Sequence, residues 1–213
     1  CRAGIRPTDQ PRPGPPQHPM TPLVTQGITP PLRLADFKLA AFDMDSTLIS
    51  IECIDEIAAL AGKGEQVAAI TEAAMRGEIT DFRDSLQRRL AILAGVPATV
   101  LDRVLAARLR FNPGARELCA ALKAAGLKLV LVSGGFTFFT RYVAAELGMD
   151  FVRSNELEIA DGALTGRVVM QDWGDICDGE QKRLMLLQCC EAIGCRPEQA
   201  IAVGDGANDL PMM

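Results

Sequence analysis

Four aspartates in two short stretches carry the most chemical potential in this sequence. Asp43-Met44-Asp45-Ser46-Thr47 sets two carboxylates one residue apart, and Gly204-Asp205-Gly206-Ala207-Asn208-Asp209 supplies two more with an amide beside them. If both stretches open on one cleft, like charges at that density repel unless a cation sits among them, and an all-oxygen donor set suits a hard ion such as Mg2+ better than zinc. Taken singly, each stretch also reads as a turn or a helix cap, because Asp, Asn, Ser and Gly are ordinary turn residues. An EF-hand over residues 43 to 54 fails, since Leu48 stands where the loop needs glycine and Ile54 where it needs a bidentate glutamate. A metal-nucleotide D-x-D of the glycosyltransferase kind passes this test but leaves the next two motifs without a use. These are Ser133-Gly134-Gly135 and Lys182. A hydroxyl and free backbone N–H groups at a turn suit a phosphoryl oxygen, and a lysine adds a point charge to the same group. Alone, the first is an ordinary loop and the second a solvated helix lysine; it is their order along the chain that points to phosphoryl chemistry.

Composition removes several competing chemistries. The single histidine, His18, lies in a proline-dense stretch, which argues against Ser-His-Asp or Cys-His catalysis and against His-ligated zinc. A formal net charge of -5, with basic residues clustering no further than pairs such as Arg88-Arg89, argues against a nucleic-acid groove. No apolar run approaches the roughly 18 to 20 residues of a membrane span. The seven cysteines form an odd set without a C-x-x-C pair and read as reduced core thiols, the pattern of a cytoplasmic protein.

Hydrophobic patterning supplies the strands and helices that would hold these residues in place. Residues 1 to 37 read as a disordered, proline-rich tail, the first 19 being either upstream sequence or a natural extension. Apolar runs at 38 to 43, 127 to 132 and 200 to 203 each lead into one of the motifs and read as buried parallel strands. Amphipathic patterns at 114 to 125, 136 to 147 and 179 to 193 read as helices between them. The expected fold is therefore α/β, a Rossmann-like parallel sheet with ligands beyond the carboxyl ends of its strands. Residues 52 to 110 show helical periodicity only, giving a helical cap domain inserted into a core made of 38 to 51 and 111 to 213. Residues 155 to 169, with Asp161-Gly162 between two short apolar segments, read as a β-hairpin.

With those motifs in order, the sequence resembles the haloacid dehalogenase superfamily of phosphotransferases. Within it, Glu52 with Asp55-Glu56, Met75-Arg76-Gly77-Glu78, Asn155-Glu156-Leu157 and Thr165-Gly166 are similar to the phosphoserine phosphatase family. The resemblance implies a cytoplasmic Mg2+-dependent hydrolase that releases L-serine from O-phospho-L-serine, the last step of serine biosynthesis. It implies Asp43 as nucleophile and Asp45 as general acid and base. It implies Mg2+ held by Asp43, Asp205, the backbone carbonyl of Asp45 and, in support, Asp209. Ser133, Gly134 and Lys182 would hold the phosphoryl group with help from Asn208; Glu52 would meet the substrate ammonium and Arg89 its carboxylate. A homodimer stays open as the assembly. There are two departures: the Met75 to Phe82 spacing is one residue longer than the family pattern, and the chain ends where family members continue with a further strand and helix. The alternatives are the same chemistry on another small phosphate ester, phosphoryl transfer to an alcohol, and a phospho-acceptor signalling module. Asp45 and the helical insertion argue against the last, since they supply a base and a cover for hydrolysis.

Overall fold

In the computed structural model, which describes residues 31 to 76 and 78 to 213, four parallel strands form the sheet that carries the site. They are β1 (Leu39–Phe42), β2 (Lys128–Phe136), β3 (Phe151–Asn155) and, last in the chain, β6 (Ala200–Val203), in the order β3-β2-β1-β6. The alternation of a strand explains the run of apolar residues in β1. Ala40 and Phe42 face one hydrophobic layer together with Leu129 and Leu131 of β2. Leu39 and Ala41 face the other with Val130 and Val132. The first layer is closed by α5 (Ala115–Ala124) and α6 (Thr137–Leu147), the second by α7 (Gly179–Ile193). Strands covered on both faces need no polar alternation, and β1 shows none, with all four of its residues buried.

Between β1 and α5 run four helices: α1 (Cys53–Leu60), α2 (Gly64–Met75), α3 (Phe82–Ile92) and α4 (Thr99–Ala107). Their apolar positions, among them Ile57, Leu86, Leu90 and Val104, join the same hydrophobic layer as Phe42 and Leu131. The hairpin is β4 (Leu157–Ala160) and β5 (Ala163–Val168), antiparallel. Asp161 and Gly162 at its tip have φ of 51° and 76°, the pair of positive values that a two-residue turn matching the strand twist requires. The hairpin bonds to the loop between α3 and α4, with Gly95 N–H donating to Leu164 O at 2.8 Å and Ala98 N–H to Gly162 O at 2.8 Å.

Three sequence expectations need adjusting. Strand β3 has no apolar run to announce it, because its buried Arg153 and Asn155 are polar and are paired inside the fold. The Ser133-Gly134-Gly135 turn is not a loop after β2: the strand continues through it to Phe136, with its register to β3 shifting between Val132 and Phe136. Inside the span read as tail, Leu34–Asp36 form one 3-10 turn and Phe37 packs against the core. The readings placed on residues 1 to 30, His18 and Cys1 included, lie outside the described residues. The six described cysteines are free and all but Cys195 are buried. Among the described residues no helix is long and apolar enough to cross a membrane.

Candidate active site

Strands β1 and β6 are adjacent and parallel, with Phe42 level with Val203, so the residues after them emerge side by side. Asp43 extends the ladder by donating its N–H to Val203 O at 3.0 Å. Its carboxylate is only 7 % exposed as a residue and accepts from the Met44 amide at 2.7 Å. Met44 is buried, so that Asp43 and Asp45 on either side of it are free to face the cleft. Asp45 has one carboxylate oxygen, Oδ1, shielded from solvent and without a hydrogen-bond partner among the described residues. Burial, then the charges of Glu52 and Asp43, push its pKa up to about 8. Ser46 takes a left-handed φ of 55° and turns its hydroxyl to Glu52, donating to Oε1 at 2.6 Å. Glu52 stands at the N-cap position of α1, yet its side chain makes no capping bond. It is committed to Ser46 and the cleft instead.

After β6, Asp209 folds back under its own loop. It is fully buried and accepts from the Asp205 and Gly206 amides at 3.1 and 3.0 Å. A Cβ on Gly204 would lie 2.3 Å from Asp209 Cγ, so only glycine admits this approach. Thr47 donates to Asp205 Oδ1 at 2.8 Å and ties the two acidic loops together. Beneath them Lys182 of α7, fully buried, reaches Asp209 at 2.6 Å and Asp43 at 3.0 Å. Burial works to lower its pKa, but Asp43 and Asp209 outweigh it and hold the ammonium above its usual range. Carboxylate oxygens of Asp43, Asp205 and Asp209 lie within 4.8 Å of one another. Three hard oxygen donors with one buried lysine among them leave a net negative site, a donor set that fits a hard divalent cation.

The third wall comes from β2. Ser133, buried, accepts from Gly135 N–H at 2.9 Å. A Cβ on Gly135 would meet Asp45 Oδ2 at 2.8 Å, and one on Gly134 would meet Phe82 Cζ at 2.7 Å. The backbone here runs hard against both the acidic loop and α3. Asn155, fully buried, supports this end of β2 from behind, donating to Gly134 O at 2.6 Å and accepting from Cys177 N–H at 2.7 Å. In the sequence Asn155 belongs to a motif but has no task of its own; it is the last, fully buried residue of β3, opposite Phe136 of β2, and only that pairing gives it this role.

These walls enclose a cleft of about 170 Å³. Asp43, Asp45, Ser133, Gly134, Asp205 and Asn208 line it, and so do Glu52 from the start of α1 and Phe82, Leu86 and Arg89 of α3. Lys182 and Asp209 do not line it; they lie below and reach it through Asp43. Burial lowers the pKa of Arg89 against the opposing charges of Asp55, Glu52 and Asp45. The cleft thus brings an acidic, amide-rich strand edge together with a carboxylate and a guanidinium from the helices.

A profile of the haloacid dehalogenase-like hydrolases matches residues 40 to 213. The phosphoserine phosphatase of Albidiferax ferrireducens is 64 % identical over 191 residues, 90 % of this chain and 81 % of that one. Among solved structures, a phospho-aspartyl intermediate analogue of phosphoserine phosphatase superposes with a TM-score of 0.75 at 38 % identity, covering 83 % of this chain and 81 % of the other. A substrate-bound phosphoserine phosphatase complex does so with a TM-score of 0.75 at 37 % identity and the same coverage. With the sheet, the paired acidic loops and the inserted helices all in agreement, the chain belongs to the haloacid dehalogenase-like hydrolase family.

Proposed function

We propose that this chain hydrolyses O-phospho-L-serine to L-serine and phosphate. The observation that carries the reading is the lining of one cleft by two sets of groups, the Asp43–Asp45 pair with Ser133 and Gly134, and Glu52 with Arg89. A phosphoryl group suits the first set. An amino-acid head, with one cation and one anion, suits the second, with Glu52 for the ammonium and the planar fork of Arg89 for the carboxylate.

In the first step an Asp43 oxygen attacks phosphorus, the bond from phosphorus to the seryl oxygen breaks, and Asp45 gives its proton to that oxygen. In the second, Asp45 takes a proton from water as the water oxygen attacks phosphorus, which releases phosphate and restores Asp43. Lys182 offsets the charge of Asp43 from below, while Ser133, the Gly134 amide and Asn208 orient the phosphoryl oxygens. The helices α1 and α3 serve as a cap that excludes bulk water. Asp43, Asp205 and the Asp45 carbonyl, supported by Asp209, would hold Mg2+, which when bound offsets the repulsion between nucleophile and phosphate dianion.

The test is phosphate release across O-phospho-L-serine, O-phosphoethanolamine, phenyl phosphate and sugar phosphates, with and without Mg2+. The expected result is a strong preference for O-phospho-L-serine, abolished in Asp43→Asn. Equal rates on sugar phosphates would sink the substrate assignment, and turnover by Asp43→Asn would remove Asp43 as nucleophile.

A further inference from the structure

One ion-pair cluster stands outside the catalytic groups and spans the two sides of the cleft. Arg83, in the first turn of α3, donates from Nη1 to Asp178 Oδ2 at 3.1 Å and to Ile176 O at 3.3 Å, and from Nη2 to Asp175. Its acceptors all belong to the segment that leads into α7, the helix carrying Lys182. Among the described residues these are the only salt bridges joining the α1 to α4 helices to the sheet and its flanking helices. The same segment is gripped from its other side by Asn155, through the Cys177 amide, and Asn155 also holds the carbonyl of Gly134. Phe82, the residue before Arg83, sets its ring against Gly134. Two successive residues of α3 therefore meet the two ends of one hydrogen-bonded chain that runs behind Ser133 and Gly134 of β2.

We propose that Arg83 is a positioning residue: with Asp175 and Asp178 it clamps α3 to the segment before α7 and so sets the fraction of molecules whose cleft is covered before substrate arrives. The proposal rests on the catalytic reading above. It follows that Arg83 acts through Phe82 on affinity. When only the covered form binds productively, apparent affinity falls in proportion to the population of that form. The charge pairs are partly open to solvent, with side-chain exposures of 37 % for Arg83, 27 % for Asp175 and 22 % for Asp178. They are consequently sensitive to salt, and removing them shifts the population by about fivefold rather than a thousandfold.

The experiment compares the chain with its Arg83→Met, Arg83→Lys and Asp175→Asn variants. Trp173, the only tryptophan in the sequence, sits two residues from Asp175 and reports on the clamped segment without substrate. Its emission should change as NaCl rises from about 0.01 to about 1 M, over which the Debye length falls from about 30 to about 3 Å. Arg83→Met and Asp175→Asn should both flatten that response, whereas Arg83→Lys, which keeps the charge, should retain most of it. In turnover of O-phospho-L-serine, Arg83→Met should raise KM by about fivefold without lowering kcat, the split expected for a lost pre-closed population. An unchanged salt response in both charge-removing variants, or a fall in kcat with KM unchanged, would overturn the clamp. Absence of O-phospho-L-serine turnover in the unmodified chain would instead count against the substrate reading, and the Trp173 salt titration would still decide whether the clamp exists.

Discussion

Replacing Lys182 by methionine tests whether the floor of the cleft is held by charge or only by packing. Lys182 and Asp209 are both fully buried, and the Asp43 side chain is 10 % exposed, so solvent does little to weaken their attraction. Removing one member of such a buried set costs about 3 to 5 kcal/mol, because the remaining charges lose their compensation. Asp209 keeps the Asp205 and Gly206 amides, which puts Lys182→Met near the lower end, about 3 kcal/mol. Asp209→Asn should cost a similar amount, since its new NH2 group cannot serve the two amides and the ammonium together. The double variant Lys182→Met/Asp209→Asn removes both charges, and the asparagine oxygen can still accept from the amides. Its loss should fall short of the sum of the single losses by about 2 kcal/mol, against the 0.3 to 0.5 kcal/mol or so within which independent sites add. The assay is urea unfolding at pH 7 with a chelator present, followed by Trp173 emission and far-ultraviolet circular dichroism. At a slope of about 2 kcal/mol per molar urea, each single variant lowers the midpoint by about 1.5 M. Strict additivity, or single losses below about 1 kcal/mol, would refute the electrostatic account of the floor.

Gly135→Ala places a methyl 2.8 Å from Asp45 Oδ2 and 3.0 Å from Met44 Cε, and the displaced acid should lower kcat by about 100-fold in steady-state assays; wild-type turnover would show slack between the two loops. Glu52→Gln should raise KM for O-phospho-L-serine by about tenfold, the equivalent of roughly 1.4 kcal/mol, and leave the KM for phenyl phosphate unchanged, since that ester has no ammonium to meet; any change in kcat through the lost charge beside Asp45 should be common to both esters. Asp150 accepts from Lys128 at 2.8 Å and from the Leu129 amide at 2.9 Å; burial pushes its pKa up, but these partners outweigh burial and hold it below the usual aspartate range. A depressed folded pKa adds stability that is complete above the unfolded value and is lost as the pH falls through the folded one. Asp150→Asn should accordingly cost about 1 kcal/mol at pH 7 in urea titrations, and the gap to wild type should close as the pH falls from the ordinary aspartate range through the folded value; a gap constant with pH would assign the effect to shape alone.

The site was legible where its residues sit at strand ends, since a buried apolar run that stops at Asp43 or Gly204 reveals both the strand and the sheet edge on which the next loop opens. It was poorly legible where a polar residue owes its role to burial. Lys182 has the local pattern of a solvated helix lysine, and it is the packing of α7 under β1 that turns it into the buried partner of Asp43 and Asp209. Strand β3 escaped notice for the same reason: Arg153 and Asn155 are polar in sequence but find Gln181, Gln188 and the Gly134 carbonyl across the fold. Arg83 carried no local signal, because its three acceptors lie more than ninety residues away.

Local sequence was therefore enough to specify three of the four sheet strands and the helices between them, the helical insertion, the hairpin and the order of the acidic, Ser-Gly-Gly and lysine motifs. Those properties depend on neighbours within a turn or two of chain, where side-chain periodicity and turn chemistry act directly. Tertiary packing was needed to put β6 beside β1 and so bring Asp205 and Asp209 to Asp43. It was needed as well to bury Lys182 beneath them, to brace β2 at Gly134 with Asn155, and to bind the helices to the sheet half through Arg83. Each of these joins residues far apart in the chain, and the desolvation and charge that give them meaning exist only once the chain has closed around them.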